Sequence, residues 1–483
     1  MKLLATAVVL LPLANAAFCA LSATRPRLQQ TISFAGIITF LAVALTLVFN
    51  IPPTSAVSVV FGSWPVPYGI EFQLDGLSSI LILVSALMGF ASLLFLLSDA
   101  DPGKRHPLLL PLIHGTLAGC AGAFATADLF NLYVWFEIIL ICALGLIVIG
   151  GRPAQMDAAF KYLGLNLFGT LLLLASVGML YAASGQLNYD ALAHAARNLD
   201  PPLLHALLAT LGVALLLKAG AFPLFAWLPA SYPTLPAPVL ALVAGLLTKV
   251  GVYALMRTFG DIFFPASSVL LPALGWIAAA TMLVGVLGAA YHWDMRRILA
   301  FHIISQIGYI LLAIALGGEK GNAAALFYTV HHIIVKANLF LIAGMIAATT
   351  GSYDLRRIGG LAAGKPALAI LFAVPALSLV GIPPLSGFWA KVLVLNESFA
   401  QQRYVWGAIA LLVSVLTLYS MMKIWLEAFW KEHPKPTCSP HKPYLVPAWI
   451  ATVMLAVVTL SIGLWPETLI DFAQQVAGRL GTR

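Results

Sequence analysis

Long apolar runs, each of about 20 residues, alternate along the whole chain with short polar connections. An α-helix needs this length to cross the hydrocarbon core of a bilayer. The runs are continuous stretches of Leu, Ala, Val and Ile, without the period-two alternation of membrane β-strands. We therefore predict an all-α, multi-pass membrane protein with about 14 transmembrane helices. The predicted spans begin near Leu3, Thr31, Ser78, Pro107, Leu129, Phe160, Leu203, Ala237, Val269, Arg297, Ala323, Ala367, Val405 and Leu445.

The composition supports a membrane protein and argues against several other classes. Hydrophobic residues make up 61% of the chain and charged residues 9%, whereas a soluble domain has roughly 25% charged residues. The net charge of +8 comes from residues in short loops rather than a basic run with aromatics, so we expect no nucleic-acid binding. There is no CxxC pair, nucleotide-binding loop or metalloprotease motif, so we expect no cofactor, no metal site and no enzyme activity.

The basic loop residues are distributed unevenly between the two ends of the predicted helices. One end carries most of them: Arg25, Arg27, Lys104, Arg105, Arg152, Lys161, Arg296, Arg297, Arg356, Arg357, Lys365, Lys431, Lys435 and Lys442. The other end carries Lys2, Arg197, Arg257, Lys320, Arg403, Arg479 and Arg483. The positive-inside rule makes the first end cytoplasmic. Both termini are then predicted outside, in a bacterial inner membrane.

The first predicted helix also resembles a signal peptide. It has Lys2 before an apolar core, and Ala14-Asn15-Ala16 follows. Arg25 and Arg27 come next, at a position that suits a cytoplasmic loop. We therefore favour an uncleaved first helix.

Five ionisable residues stand inside the predicted membrane helices: Glu137, Lys218, Lys249, Lys336 and Lys391. A charged side chain at the centre of a bilayer costs at least ~2.5–3.5 kcal/mol, so such residues persist mainly where they have a function. Their usual function is a path for protons or ions. This set therefore indicates a membrane transport protein.

Glu137 and Lys218 form the most natural pair among these residues. Burial disfavours the charged form of each group, whereas an opposite charge within ~4–6 Å favours it. Breaking and restoring the contact would therefore let Lys218 release and take up a proton. The alternative is a static buried ion pair that fixes helix packing.

The candidates that follow extend the series along the chain. Lys249 lies near the middle of its span and could relay a proton from Lys218, unless it snorkels from a helix end. His332 and Lys336 are four residues apart and share a helix face, which favours a proton relay.

Two further features of the second half remain open between function and structure. A polar stripe on the preceding span is equally consistent with proton transfer and with contacts between helices: His302, Ser305, Gln306 and Tyr309. Lys391 has no carboxylate partner within its own helix. It is suited to load or release protons at an exit, or it only faces a water-filled vestibule.

Two spans carry residues that interrupt a helix. Gly220 and Pro223 follow Lys218, and the segment from Gly381 to Gly387 precedes Lys391 with a double proline. Proline removes a backbone donor and kinks a helix. Broken helices in corresponding positions of two halves are typical of inverted repeats with a polar site at the break. We therefore predict two broken helices within such repeats.

Several motifs, in order, resemble one protein family. They are NLYVWFEI around Glu137, LLLKAGAFPLFAWLP around Lys218, AGLLTKVGVYALMR around Lys249, HHIIVKANLFLIAG around Lys336 and GIPPLSGFWAK ending at Lys391. They resemble the antiporter-like membrane subunits of complex I, membrane hydrogenases and Mrp-type cation/proton antiporters, and the Mrp branch is the most similar. The resemblance is strong from Phe130 to about Lys391.

The resemblance implies a fold of 14 transmembrane helices, with two inverted five-helix repeats and broken helices seven and twelve. It also implies a proton path along the membrane through Glu137, Lys218, Lys249, His332, Lys336 and Lys391. We expect N-terminal helices over 1–106, the translocation core over 107–400 and C-terminal helices over 401–483.

The expected function is proton translocation within a multi-subunit Na⁺/H⁺ antiporter, with the other subunits, protons, Na⁺ and the lipid bilayer as partners. A proton-pumping subunit of a redox complex is the first alternative. A scaffold with a vestigial proton path is the second. The sequence leaves the choice of cation, the stoichiometry and the partner contacts open.

Overall fold

Helices form almost all of the structure. The computed structural model describes residues 2–62, 64–66, 68–98, 103, 105–432 and 446–481. The first helices are α1 (Lys2–Leu21), α2 (Pro26–Asn50), α3 (Gly76–Leu96), α4 (Leu109–Ala125), α5 (Leu129–Val148), α6 (Pro153–Ser184), α7 (Tyr189–Ala196), α8 (Pro201–Ala219), α9 (Trp227–Ser231) and α10 (Ala237–Arg257). They are followed by α11 (Leu271–Tyr291), α12 (Met295–Leu316), α13 (Gly318–Thr350), α14 (Leu361–Gly364), α15 (Pro366–Val380), α16 (Ser386–Ala400), α17 (Tyr404–Trp425), α18 (Val446–Leu464) and α19 (Pro466–Ala477).

The predicted set of transmembrane helices is confirmed. Within the described ranges, 12 helical segments are long and apolar enough to cross a membrane. Two shorter apolar helices, α4 with 17 residues and α15 with 15, bring the set to the predicted fourteen. The helix α15 is short because its span is interrupted and continues as α16. Four of the basic loop residues named above lie outside the described residues: Lys104, Lys435, Lys442 and Arg483.

A two-stranded antiparallel sheet lies in the loop before α3, where the sequence analysis predicted only a connection. Its strands are β1 (Ala56–Val60) and β2 (Glu71–Asp75). Strand β1 is rich in valine, which suits a pleated surface. Asp75 ends the sheet and caps α3, because its carboxylate accepts the Ser78 N–H at 2.9 Å. We call the end of the bundle with this sheet the outer end, and the opposite end the inner end.

Two matching pairs of backbone hydrogen bonds reveal a repeated unit. At the outer end the N–H of Leu129 donates to Leu187 O at 3.0 Å, and that of Tyr189 to Ala127 O at 2.8 Å. At the inner end the N–H of Met295 donates to Tyr353 O at 3.0 Å, and that of Leu355 to Trp293 O at 3.0 Å. Met295 follows Leu129 by 166 residues, and the other three pairs of positions have the same separation. Because the two pairs of bonds lie at opposite ends, the two units are inverted.

The two predicted helix breaks have the same local structure. At the end of α8 the N–H of Ala221 donates to Leu216 O at 3.0 Å, and at the end of α15 that of Ile382 donates to Leu377 O at 3.1 Å. The residue directly before each donor is a glycine in the left-handed region: Gly220 with φ 77° and Gly381 with φ 95°. This pattern is the Schellman motif, which ends a helix at a glycine. The sequence prediction of two broken helices is confirmed.

The helices that carry Lys249, His302, His332 and Lys336 are the most enclosed. In its most apolar stretch α10 is 100% buried, α12 94% and α13 89%, against 28% for α2 and 39% for α6. The apolar surface therefore faces outwards, towards the lipid, and the polar side chains lie inside the bundle. This arrangement places Lys249, His302, His332 and Lys336 in the centre of the molecule.

The assignment of Arg257 to a loop was wrong. It ends α10 at the outer end of the bundle, and only 2% of its surface is exposed. Its guanidinium pairs with Asp75 at 2.6 Å and with Asp261 at 3.2 Å, and donates to the Tyr253 hydroxyl at 3.0 Å. Asp75 is 182 residues away in the chain and reaches Arg257 because α3 packs against α10. The sequence alone therefore could not show that this charge is neutralised inside the protein.

Candidate proton path

Lys218 is the first buried lysine among the described residues, and it sits in the last turn of α8, just before the break at Gly220. Its ammonium nitrogen donates to the Asn166 carbonyl at 3.1 Å and to the Thr170 hydroxyl at 2.5 Å, both on α6. It also lies 5.6 Å from the centre of the Phe136 ring. A small cavity beside it is lined by Phe136, Ile139, Leu140, Tyr162, Asn166, Lys218, Trp227 and Leu247.

Glu137 does not form the predicted ion pair with Lys218. It lies in the middle of α5, close enough to act on Lys218 through its charge. Its Oε1 atom is buried and has no hydrogen-bond partner among the described residues. The residue is half-buried, and Ile141, one turn further along α5, is 64% exposed. Glu137 therefore lies at the edge of the protein, between the interior and an outward-facing helix surface.

Lys249 is fully buried in the middle of α10, which excludes a snorkelling side chain. Its nitrogen donates to the Ala244 carbonyl at 2.9 Å. The neighbouring Thr248 packs against the break after α8, since a Cβ atom added at Gly220 would lie 3.7 Å from its methyl group. The Thr248 hydroxyl has no partner among the described residues. Thr248 therefore stands between the break that follows Lys218 and the interior around Lys249.

The two adjacent histidines of α13 face different surroundings. His332 is fully buried, interacts with the charges of Lys249 and Lys336, and has no hydrogen-bond partner for either ring nitrogen among the described residues. His331 instead bonds through Nδ1 to the Ser386 hydroxyl at 2.8 Å, at the start of α16. Lys336 donates to the Leu299 carbonyl of α12 at 3.2 Å. His332 and Lys336 thus interact with Lys249, whereas His331 contacts the second break, between α15 and α16.

Lys391 lies in the second turn of α16, and 5% of its surface is exposed. Its nitrogen donates to the Val380 carbonyl, at the last turn of α15, at 2.6 Å. It also donates to the Ser414 hydroxyl of α17 at 3.1 Å. The break between α15 and α16 therefore supplies a carbonyl acceptor for Lys391. The acid that follows it in the same helix, Glu397, bonds to Gln401 instead.

The polar stripe of α12 is buried, and its first member, His302, lies within reach of the charges of Lys336 and Lys391. The Nε2 atom of His302 bonds to the Ser420 hydroxyl at 2.9 Å. Gln306 accepts from the Tyr328 hydroxyl at 2.6 Å. The charges of two lysines thus act on His302, a relation that the sequence could not show.

The four buried lysines share one form of contact. Each donates to a backbone carbonyl: Lys218 to Asn166, Lys249 to Ala244, Lys336 to Leu299 and Lys391 to Val380. None of them forms an ion pair with a described residue. A carbonyl accepts a hydrogen from an ammonium and from a neutral amine alike. The contact therefore survives when the lysine gains or loses a proton.

Several buried polar atoms along the same region need a partner that the described residues do not supply. They are Glu137 Oε1, Thr248 Oγ1, His302 Nδ1, Ser305 Oγ, Gln306 Nε2, both ring nitrogens of His332 and both side-chain polar atoms of Asn338. Buried polar groups of this kind are normally satisfied by ordered water. Groups that titrate, connected by water molecules, can pass protons over distances that direct contacts cannot span.

Sequence reasoning missed the partners that hold the lysines. Asn166 and Thr170 contact Lys218, and Ser414 contacts Lys391. Asn166 contributes its backbone carbonyl, which the sequence cannot single out, so only the Thr170 hydroxyl within the apolar α6 was a visible signal. Ser414 is one of several hydroxyl residues of α17, with Thr417 and Ser420, so the sequence did not single it out.

The chain is similar to known membrane proteins over its whole length. Residues 126–417 match the family model described as NADH:quinone oxidoreductase/Mrp antiporter, transmembrane. The chain is 37% identical over 473 residues to the D subunit of the Na⁺/H⁺ antiporter of Alkalihalophilus pseudofirmus, with 98% of this chain and 96% of that protein covered.

Solved structures show the same fold. A chain in the structure of the Mrp complex from Dietzia sp. DQ12-45-1b matches with a TM-score of 0.92 and 33% identity, and covers 100% of this chain and 98% of that one. A chain of respiratory complex I from Thermus thermophilus with bound NADH matches with a TM-score of 0.86 and 26% identity, and covers 99% and 100%. The fold is therefore common to antiporter and redox complexes.

Proposed function

This chain belongs to the family of transmembrane subunits of NADH:quinone oxidoreductase and Mrp antiporters, among the relatives of the Na⁺/H⁺ antiporter D subunits, and on that basis we propose that it is the proton-translocating subunit of a multi-subunit Na⁺/H⁺ antiporter. One observation carries the proposal. Four lysines lie inside the apolar bundle, each bonded to a carbonyl and none paired with a described acid. Such costly residues suit a path along which protons are exchanged.

The proposed path follows the order of the two repeats. It begins at Glu137 and Lys218, continues through Lys249 to His332 and Lys336, and ends at Lys391. Lys249 interacts with the charges of His332 and Lys336, and His302 with those of Lys336 and Lys391. A proton that arrives at one group raises the energy of a positive charge on the next, because charges interact strongly in a medium of low effective dielectric. The arrival of a proton at one group therefore favours the release of a proton from the next group of the path.

The entry to the path works as a switch in this proposal. Lys218 has two sets of partners: Asn166 and Thr170, which hold it in this structure, and Glu137, which lies nearby without a contact. Pairing with Glu137 stabilises the ammonium form, and return to Thr170 removes that stabilisation. Movement of Lys218 between the two would take up a proton and then pass it towards Lys249.

Glu137 also supports assembly with other subunits. A half-buried carboxylate in the middle of a membrane helix is unfavourable against lipid. The exposed residues on either side of it along α5, Phe130 and Ile141, are apolar. We infer that this face of α5 packs against a transmembrane helix of another subunit of the antiporter. We also infer that the complex lies in a bacterial plasma membrane, with both termini of this chain outside.

The second candidate function is proton pumping in a redox-driven complex. The similarity in fold to a chain of Thermus thermophilus complex I supports it. The higher identity to an antiporter D subunit, 37% over the whole chain, favours the antiporter. The scaffold with a vestigial path would be supported if replacement of Lys391 by alanine left transport unchanged.

The test is Na⁺-dependent dissipation of ΔpH in everted membrane vesicles from an antiporter-deficient host. The vesicles would contain the complete complex with the wild-type chain or with Glu137→Gln. We expect dissipation with the wild-type chain and its loss with the variant at equal assembly. Activity that survives the substitution would make Glu137 a structural residue. An assembled wild-type complex without any Na⁺ response would favour the redox-driven pump.

A further inference from the structure

Two hydroxyl groups that have no role in the proposed path surround the end of the Lys391 side chain. Ser414 Oγ lies 3.1 Å from the lysine nitrogen and 2.8 Å from the Tyr309 hydroxyl. The lysine nitrogen lies 5.0 Å from the centre of the Tyr309 ring. Tyr309 is fully buried and Ser414 is half-buried. The three side chains come from α16, α17 and α12, so the fold rather than one helix brings them together.

Both hydroxyls also reach one backbone carbonyl. Tyr309 donates to Ala410 O at 2.5 Å, and Ser414 can donate to the same oxygen at 3.1 Å. A hydroxyl has one hydrogen to donate and two lone pairs that accept. The two hydroxyl hydrogens can therefore choose among three acceptor oxygens, those of Ser414, Tyr309 and Ala410. They can be arranged in more than one way.

One arrangement suits the charged lysine. The ammonium donates to Ser414 Oγ, and Ser414 directs its own hydrogen to Ala410 O or to the Tyr309 oxygen. Another arrangement suits the neutral lysine. The amine lone pair accepts the Ser414 hydrogen, and Tyr309 turns its hydrogen from Ala410 O to Ser414 Oγ. Between the two states Lys391 loses one proton to the path, while the serine and the tyrosine each keep theirs.

We propose that Ser414 and Tyr309 form a hydroxyl pair that reverses its hydrogen bonds as Lys391 gains or loses a proton. Ser414 contacts the lysine directly, and Tyr309 is a positioning residue that acts through Ser414. The pair lowers the cost of the neutral state without moving the lysine away from Val380 O. This inference rests on the proposed function, because it assumes that Lys391 exchanges protons during transport.

The two residues have opposite expected effects when they are removed. Tyr309→Phe keeps the ring and leaves the charged state satisfied, since Ser414 still accepts from the ammonium and donates to Ala410 O. The neutral state loses the donor to Ser414 Oγ, so release of the proton needs a higher pH. Ser414→Ala removes a hydrogen bond to the charged ammonium, which is stronger than a bond to a neutral amine. Release then occurs at a lower pH.

The experiment measures Na⁺-dependent transport against pH in everted vesicles with the complete complex. We expect Tyr309→Phe to move the pH of half-maximal transport up by roughly 0.5–1 unit, and Ser414→Ala to move it down. Ser414→Thr, which restores a hydroxyl, should return the wild-type midpoint. Matched controls are Thr417→Ala, whose hydroxyl bonds only to Val413 O in its own helix, and Tyr419→Phe, which is 59% exposed. Neither control should shift the midpoint.

Lys391→Gln separates failure of the inference from failure of the proposed function. If Lys391→Gln abolishes transport but Tyr309→Phe and Ser414→Ala leave the midpoint unchanged or move it in the same direction, the hydroxyl pair is overturned and the path stands. If Lys391→Gln transports normally, both the use of Lys391 and the hydroxyl pair are overturned.

Discussion

Each of the four buried lysines is bonded to a backbone carbonyl, which accepts a hydrogen from the charged and from the neutral form of the side chain. A lysine within an apolar run is visible without a structure, and all four lysines predicted to lie inside the membrane helices are buried in the bundle. Their acceptors were not predictable. Three of the four carbonyls belong to other helices, such as Asn166 on α6 for Lys218, and every residue has a carbonyl, so sequence does not distinguish the one that is used. Contacts of this kind depend on the packing of helices.

Thr170 offers a direct test of how Lys218 is held. Replacing it by valine keeps the shape of the side chain but removes the hydroxyl that lies 2.5 Å from the lysine nitrogen. We expect Na⁺-dependent transport to fall by about tenfold, because a hydrogen bond to a charged group contributes roughly 1.5–3 kcal/mol. The matched control is Thr210→Val, since the Thr210 hydroxyl bonds to a carbonyl of its own helix α8. Equal loss in both variants would contradict a specific role for Thr170.

Arg257 leads to a prediction about stability. Arg257→Met leaves Asp75 and Asp261 buried without their partner, and the loss of one member of a buried ion pair costs about 3–5 kcal/mol. We expect a lower unfolding temperature of the purified complex. Lys161→Met is the control, because its pair with Asp157 is 54% and 65% exposed and such surface pairs contribute little. A thermal melt of Arg257→Met that coincides with that of Lys161→Met would show that the buried ion pairs of Arg257 do not stabilise the protein.

At the level of elements, residues with special backbone chemistry were the most informative. Glycine and proline near Lys218 and Lys391 predicted both breaks, because a left-handed residue and a missing donor end a helix for local reasons. The sheet formed by β1 and β2 was missed. Its strands are five residues each, too short to stand out as a pattern within a connecting segment.

Gly381→Ala tests the second break. A Cβ atom there would lie 2.8 Å from Lys391 Cδ, on a backbone with φ 95°. We expect a loss of stability of about 1–2 kcal/mol from the left-handed conformation, together with impaired transport because Lys391 is displaced. The control is Gly178→Ala in α6, where an added Cβ meets no atom within 4 Å and helix formation improves. Unfolding and transport assays of the two variants should therefore diverge, and normal transport in Gly381→Ala would contradict the expected geometry.

For the whole molecule, the sequence predicted the number of spans but not the positions at which the two repeated units correspond. Fourteen apolar runs can be counted because hydrophobicity is a local property. The separation of 166 residues between the two units was not visible, since the bonded positions carry different residues, such as Leu129 and Met295. Backbone hydrogen bonds preserve the repeat, and so does one pair of capping residues, since Asp128 and Asp294 are 166 residues apart and each carboxylate accepts N–H groups at the start of its helix. The division at residues 106 and 400 stays a prediction.

The outward face of α5 yields a prediction about assembly. A photo-crosslinking residue at position 141, which is 64% exposed in this chain, should form an adduct with another subunit in the purified complex. The same residue at Ile139, which is 4% exposed on the inner side of α5, should give no adduct between subunits. Gel electrophoresis with mass spectrometry identifies the products. Adducts with lipid alone at position 141 would contradict the proposed contact.

Replacement of Lys249 tests most directly whether protons pass along the buried lysines. Na⁺-dependent dissipation of ΔpH would be compared in everted vesicles that contain the complete complex with Lys249→Met or with Lys320→Met, an exposed lysine at the outer end. We predict that Lys249→Met assembles normally and loses at least about tenfold of the transport rate, whereas Lys320→Met matches the wild type. Wild-type transport by an assembled Lys249→Met complex would contradict the path.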